Sequence, residues 1–149
     1  MKRRKSIGQQ SKANVEKVRQ IVYARDNHQC VASKLVAGAT PLLGSASGCQ
    51  GSLTIQHAVT RGMGGSARWD SPEYLRAMCA FHNFLDTSDA PFHDLCLENG
   101  WTLKRWQAER TPTNWIPVRY FDGWFVLVGG DRIEITERLA LHMRELLND

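Results

Sequence analysis

Residues 52–86, SLTIQHAVTRGMGGSARWDSPEYLRAMCAFHNFLD, decide the fold. Apolar and polar side chains alternate through SLTIQH and again through EYLRAMC, and this period of two predicts two strands joined by a glycine-bearing loop. The segment that follows predicts a helix around His82, which breaks near Pro91, resumes through Leu97 and ends at Gly100. The stretch therefore predicts strand, loop, strand and helix, with one histidine at the end of the first strand and another in the helix.

Helix and strand patterns flank this unit on both sides. Residues 14–26 predict a helix, because four aliphatic side chains share one face: Val15, Val18, Ile21 and Val22. In residues 112–149, three short apolar runs separated by an Asp-Gly and a Gly-Gly-Asp turn predict a small antiparallel sheet, and Thr136 can cap a terminal helix. The expected fold is a single α+β domain of residues 1–149.

The composition argues against a membrane protein and against export. Hydrophobic residues make up 42% of the chain, and no apolar run approaches the roughly 20 residues needed to cross a bilayer. The polar segment IGQQSKANVEK follows the basic start of the chain, where a signal peptide would need its apolar region. We therefore expect a cytoplasmic protein with no membrane partner, whose cysteines stay reduced.

Positive charge is concentrated in an N-terminal arm, residues 1–13. Residues 1–25 hold eight Lys and Arg against one acidic residue, although the whole chain carries a formal charge of only +4. Four side chains at the start of the arm can neutralise nucleic-acid phosphates: Lys2, Arg3, Arg4 and Lys5. The alternative is a solvated arm without a partner.

Two segments, LTIQHAVTRGMGGS and DSPEYLRAMCAFHNFLD, resemble the HNH endonuclease family, especially small HNH proteins encoded by actinobacterial phages. The match covers residues 25–86, and a weaker similarity through IPVRYFDGWFVLV extends it to about residue 128. The resemblance implies a ββα-metal core, also called a His-Me finger, over residues 50–90. It also implies a DNA endonuclease that hydrolyses phosphodiester bonds with a divalent ion, Mg²⁺, Mn²⁺ or Ni²⁺, in the cytoplasm of a bacterial host.

The resemblance assigns roles to single residues. His57, at the end of the first strand, is the implied general base, since an imidazole can deprotonate water near neutral pH. Gln56 and His82 are the implied ligands of the divalent ion, with Asn83 as the alternative to His82. Tyr74 stands where the family has an asparagine that orients the base.

Neighbouring residues fit the same interpretation. Arg61 can offer a bidentate fork to a phosphate, while Gly64 and Gly65 let the backbone approach that phosphate closely. Asp86 lies one helical turn after His82, where its carboxylate can orient the second ring nitrogen. DNA is therefore the expected partner.

Two departures from the family pattern leave an alternative open. Gln56 replaces the usual aspartate or histidine, and a neutral amide oxygen attracts a dication less strongly than a carboxylate does. Tyr74 replaces the orienting asparagine. The alternative is a catalytically degenerate protein on the same scaffold, either a DNA-binding adaptor of the phage packaging machinery or a protein that binds a host factor.

The cysteines suggest a second kind of metal site. Some members of the family carry a zinc knuckle, which implies a structural Zn²⁺ bound by Cys30, Cys49 and Cys79. Cys96 or His28 would supply the fourth ligand. No C-x-x-C pair is present in the chain, and buried free thiols are the alternative.

Overall fold

The computed structural model describes residues 12–33, 48–60 and 67–149. These residues form an α+β structure with five α-helices and two small antiparallel sheets. The helices are α1 (Lys12–Arg25), α2 (Ala80–Ser88), α3 (Ala90–Glu98), α4 (Arg105–Arg110) and α5 (Glu137–Asn148). The strands are β1 (Leu53–His57), β2 (Leu75–Cys79), β3 (Val118–Tyr120), β4 (Gly123–Val128) and β5 (Asp131–Ile135).

Strands β1 and β2 form an antiparallel hairpin that pairs Leu53 with Cys79 at one end and His57 with Leu75 at the other. Because side chains alternate along a strand, the hairpin has two different faces. One face packs against α1 through the buried side chain of Val22. The other face makes hydrogen bonds to α2. The hairpin therefore lies between two helices. His57, the predicted base, and Cys79, the residue before α2, lie at its opposite ends.

Helix α2 begins directly where β2 ends. The thiol of Cys79 caps the helix by accepting a hydrogen bond from the main-chain nitrogen of His82 at 3.4 Å, so these two side chains lie within one turn of each other. Helix α3 starts immediately after α2, because Asp89 caps it through the main-chain nitrogen of Phe92 and Pro91 occupies its first turn. The predicted break near Pro91 is therefore confirmed as a boundary between two helices.

The second sheet has the strand order β3-β4-β5 and packs into the main core beside Phe92 and Trp101. A buried carboxylate connects this sheet to the rest of the molecule. The hydroxyl of Tyr120 donates to Asp26 Oδ1 at 2.7 Å, and the main-chain nitrogen of Ala77 donates to Asp26 Oδ2 at 2.9 Å. Asp26 therefore joins the end of α1, the hairpin and the C-terminal sheet.

The described elements confirm both predicted strands of the hairpin, the C-terminal sheet and the terminal helix capped by Thr136. Helix α4 was not predicted, because its six residues are too few to show an apolar period. No helix in the described ranges of the chain is long and apolar enough to cross a membrane.

Candidate metal centre and histidine–aspartate pair

Three thiols and one imidazole converge at the end of the hairpin where α2 begins. The donor atoms of Cys30, Cys49, Cys79 and His82 all lie within 4.8 Å of one another. The Nδ1 atom of His82 is 3.4, 3.7 and 3.3 Å from the three Sγ atoms, in that order. A tetrahedral zinc ion with Zn–S of about 2.3 Å and Zn–N of about 2.0 Å separates sulfur and nitrogen by about 3.5 Å. The cluster could therefore hold a metal ion with little rearrangement.

Local backbone structure brings Cys30 to this cluster. After α1, Asn27 and His28 adopt left-handed conformations with φ of 56° and 54°, which turns the chain back towards the hairpin. The main-chain nitrogen of Val31 then donates to the carbonyl of Ala77 in β2 at 2.9 Å. This hydrogen bond fixes the segment that carries Cys30 against the strand that ends in the next ligand.

The other members of the cluster differ in exposure. Cys79 and His82 are buried, whereas Cys49, which precedes β1, is exposed. The ring of His82 stacks on Phe92, with 5.2 Å between ring centroids and 16° between planes. Packing therefore orients the imidazole ring of His82. Solvent reaches the cluster from the side of Cys49.

Burial changes the protonation of Cys30 and Cys49. It raises the pKa of Cys30 far above its usual range, and burial together with the neighbouring Cys79 raises the pKa of Cys49. Without a cation, both groups are therefore neutral thiols near pH 7. A bound dication stabilises the thiolates instead, so metal binding releases protons and the affinity falls as the pH falls.

The structure brings together the three cysteines that the resemblance implied and replaces the expected fourth ligand. His82 completes the cluster, whereas Cys96 is buried in α3 and His28 is exposed. The sequence signal for this ligand is C-x-x-H, from Cys79 to His82 across the junction of strand and helix. A search for C-x-x-C alone misses it.

Gln56 and His82, the predicted ligands of a divalent ion, have different contacts in the structure. The amide nitrogen of Gln56 donates to Asp86 Oδ2 at 3.1 Å and to Thr102 Oγ1 at 2.8 Å, while Nδ1 of His82 faces the thiols. Gln56 is also three residues along β1 from the end that pairs with Cys79, a distance of about 10 Å. The pairing of these two residues around a divalent ion stays a prediction from the resemblance.

Asp86 and Asn83 face the hairpin. Asp86 accepts hydrogen bonds from Gln56, from Thr102 at 2.7 Å and from Nδ1 of His93 at 2.9 Å. The side chain of Asn83 donates to Thr54 at 3.0 Å. The Oε1 atom of Gln56 is buried and has no hydrogen-bond partner among the described residues.

A second histidine lies at the opposite end of the hairpin. Nε2 of His57 is 3.1 Å from Oδ1 of Asp70, and the two side chains are 31% and 13% exposed. With Nε2–H as the donor, the basic lone pair of the neutral ring lies on Nδ1. Asp70 thus fixes the tautomer and the orientation of an imidazole that is partly open to solvent.

The sequence did not predict Asp70 as the partner of His57, because the resemblance places the residue that orients the base at Tyr74. In the structure, the ring of Tyr74 packs edge-on against Trp69, with 5.1 Å between centroids. Asp70 follows the 3₁₀ turn Ala67–Trp69 and reaches the histidine from the loop between the strands. The signal that the sequence offered for this partner was a carboxylate in the loop between the two strands.

Some predicted DNA contacts lie outside the described residues. They are Lys2, Arg3, Arg4 and Lys5 of the N-terminal arm, and Arg61, Gly64 and Gly65 of the loop. The basic arm and this loop stay predictions from the sequence.

Comparison with known proteins identifies no relative for this chain. No family model, no curated protein and no solved structure matches it. A functional hypothesis therefore depends on the geometry of the two histidine sites and on the resemblance in residues 25–86.

Proposed function

We propose that the protein is an endonuclease that hydrolyses DNA phosphodiester bonds, with His57 as the general base. The observation that carries the proposal is the 3.1 Å contact between His57 Nε2 and Asp70 Oδ1 at the end of β1. The choice of DNA as substrate depends on the resemblance to HNH endonucleases and on the basic N-terminal arm, residues 1–13.

The His57–Asp70 pair suits the removal of a proton from water. As the water oxygen attacks phosphorus, its proton passes to the imidazole, the bond to the leaving oxygen breaks, and that oxygen takes a proton from solvent. Asp70 keeps the ring in one orientation and stabilises the imidazolium that forms. The partial exposure of both side chains gives a phosphate access to the ring.

We also propose that the four-residue cluster of Cys30, Cys49, Cys79 and His82 binds a structural zinc ion. Three thiolates and one imidazole form a donor set that favours zinc over magnesium or manganese. Four protein ligands leave no position for a reacting water, so this ion would stabilise the fold and not take part in hydrolysis. It would connect the turn after α1 and the segment before β1 to the first turn of α2.

A catalytic Mg²⁺, Mn²⁺ or Ni²⁺ held by Gln56 and His82 is not part of the proposal. The amide nitrogen of Gln56 donates to Asp86 and Nδ1 of His82 faces the thiols, so we assign no step to an ion at that place. The identity of any divalent ion that supports cleavage is therefore a variable of the experiment.

One observation favours a second candidate, a DNA-binding adaptor without catalysis. Gln56, which occupies the family's ligand position, is buried, and its amide nitrogen donates to Asp86 and Thr102. A phage packaging adaptor or a host-factor binder would keep the hairpin and helix without needing a ligand there. DNA binding with a steep salt dependence, in the absence of cleavage, would support the adaptor.

Cleavage of supercoiled plasmid tests the proposal. The purified chain is incubated with Mg²⁺, Mn²⁺, Ni²⁺ or EDTA beside His57→Ala, Asp70→Asn and the matched control His142→Ala, which removes an exposed histidine of α5. We expect His57→Ala to slow nicking by about 100-fold or more and Asp70→Asn by about 10-fold or more. His142→Ala should cleave like the wild type.

Circular dichroism of each sample separates a loss of nicking activity from a loss of fold. This check matters most for the samples in EDTA, because EDTA would also remove the proposed structural zinc ion. Nicking that His57→Ala leaves unchanged would contradict the assignment of the base. If every sample is folded, binds DNA and leaves the plasmid intact with all three ions, the adaptor replaces the endonuclease.

A further inference from the structure

Helix α4 and the residue before it expose positive charge and an aromatic ring together. Lys104, Arg105, Trp106 and Arg110 are all exposed, with Trp106 at 42%, and Glu109 is the only acidic residue among them. Three basic groups against one acidic group on a single short segment give this face a positive potential. Trp106 adds an exposed aromatic ring to this positive face.

Arg110 connects this helix to an apolar cavity. Its guanidinium lies 4.5 Å from the ring centre of Trp106 and donates to the carbonyl of Leu147 in α5 at 3.2 Å. The cavity beside it has a volume of about 250 Å³ and is lined by Trp115, which is 47% exposed, with Met143 and Leu147 on the side of α5. Arg110 therefore contacts one exposed indole, Trp106, and lines an apolar cavity together with a second, Trp115.

The segment is joined directly to the end of β1. The main-chain nitrogen of Leu103 donates to the carbonyl of Ala58 at 2.8 Å, and the guanidinium of Arg105 donates to the carbonyl of Thr60 at 3.2 Å. Ala58 immediately follows His57 in the chain. The basic and aromatic face is therefore anchored one residue from the proposed general base.

We propose that this α4 surface, formed by Lys104, Arg105, Trp106, Arg110 and Trp115, binds a single-stranded stretch of nucleic acid. Every base offers a π-face that stacks on an indole, and the basic groups match the phosphates between successive bases. The charge of the surface and its two indoles favour this ligand over an apolar helix. That the bound strand also reaches His57 rests on the proposed function.

Fluorescence anisotropy with a labelled oligothymidylate and the full chain tests the surface. The variants are Trp106→Ala and Trp115→Ala, and the matched control is Phe84→Ala, an aromatic residue of α2 that is 65% exposed. We expect each tryptophan variant to weaken binding between about 5- and 100-fold. The control should change binding by less than about 2-fold.

Charge is tested separately. Arg110 also holds α5, so Lys104→Gln, which changes an exposed side chain, is measured beside Arg110→Gln, with Arg138→Gln on α5 as the matched loss of charge. Each of the first two variants should reduce the slope of log K against log salt by about 0.7, and the control should leave it unchanged. Melting temperatures identify any variant that has lost its fold.

Three results would overturn the α4 surface. They are equal binding by the tryptophan variants and Phe84→Ala, equal slopes for all charge variants, or binding of polyglutamate as tight as that of the oligonucleotide, which would indicate an acidic protein partner.

His57→Ala separates this inference from the proposed function. A chain that cleaves nothing but binds the oligonucleotide through Trp106 supports the surface and contradicts only the endonuclease. Cleavage that does not depend on Trp106, together with oligonucleotide binding that does, contradicts only the statement that the bound strand reaches His57.

Discussion

At the scale of the residue, His82 shows how one side chain can fit two interpretations. Its place after the second strand suggested a ligand of a catalytic ion, but its distance from Cys79, three residues and one helical turn, brings its ring to the thiols. The C-x-x-H spacing is visible in the sequence. The approach of Cys30, 52 residues earlier in the chain, is not visible there, because it depends on how α1 packs on the hairpin.

Removal of one proposed zinc ligand should change both metal content and stability. We expect His82→Ala and Cys79→Ser to lower bound zinc from about one ion per chain to near zero and to cost more than about 2.7 kcal/mol of unfolding free energy, the linkage effect of a ligand present at 100 times its Kd. Metal analysis after dialysis and urea denaturation measure the two effects.

The matched control for these variants is Cys96→Ser, which changes a buried thiol outside the cluster. It should retain zinc even if the buried hydroxyl lowers stability. Zinc retention by His82→Ala, or equal zinc loss by Cys96→Ser, would contradict the assignment of the four ligands.

At the scale of the element, regular patterns were predictable and short connections were not. The period-two strands and the cap at Thr136 are encoded in neighbouring residues, and so is the break at Pro91. Helix α4 has only six residues, and its position depends on contacts with Thr60, which follows β1, and with Leu147 of α5. Asp70 lies in the loop between β1 and β2, and no local sequence pattern shows that its side chain faces His57.

Gly100 gives a prediction at this scale, because it ends α3 in a left-handed conformation with φ of 72°. A side chain there would collide with the carbonyl oxygen of Pro117, and the carbonyl of Gly100 also accepts a hydrogen bond from the buried Arg76 at 3.0 Å. We expect Gly100→Ala to lower the unfolding free energy by about 2 to 5 kcal/mol. Gly129→Ala is the matched control, since Gly129 has a φ of 57° and open space around it.

The control should cost only the conformational penalty of about 1 to 2 kcal/mol. Urea denaturation of both variants isolates the collision from the dihedral strain. Equal losses for the two glycines would show that the segment after α3 can move away from Pro117.

At the scale of the whole molecule, a few buried polar contacts join parts of the chain that no sequence pattern relates. Tyr120 and Asp26 are 94 residues apart, and their hydrogen bond connects the C-terminal sheet with the end of α1. Asp26 also accepts two hydrogen bonds from Arg25, the nearer at 2.8 Å. The arginine and the aspartate end the helix predicted over residues 14–26, whereas the tyrosine lies in the predicted C-terminal sheet, so their meeting depends on the complete fold.

This network predicts a difference between two tyrosines. Tyr120→Phe removes a buried hydrogen bond to a carboxylate, and we expect it to cost about 1.5 to 3 kcal/mol of unfolding free energy. Tyr23→Phe removes a bond of 2.9 Å to the neutral carbonyl of Leu53 in a partly buried position, and it should cost about 0.5 to 1.5 kcal/mol. Both substitutions keep the ring, so packing changes little. If urea denaturation gives equal losses, the carboxylate of Asp26 is satisfied by its remaining donors, and the connection between the sheet and α1 depends on apolar packing alone.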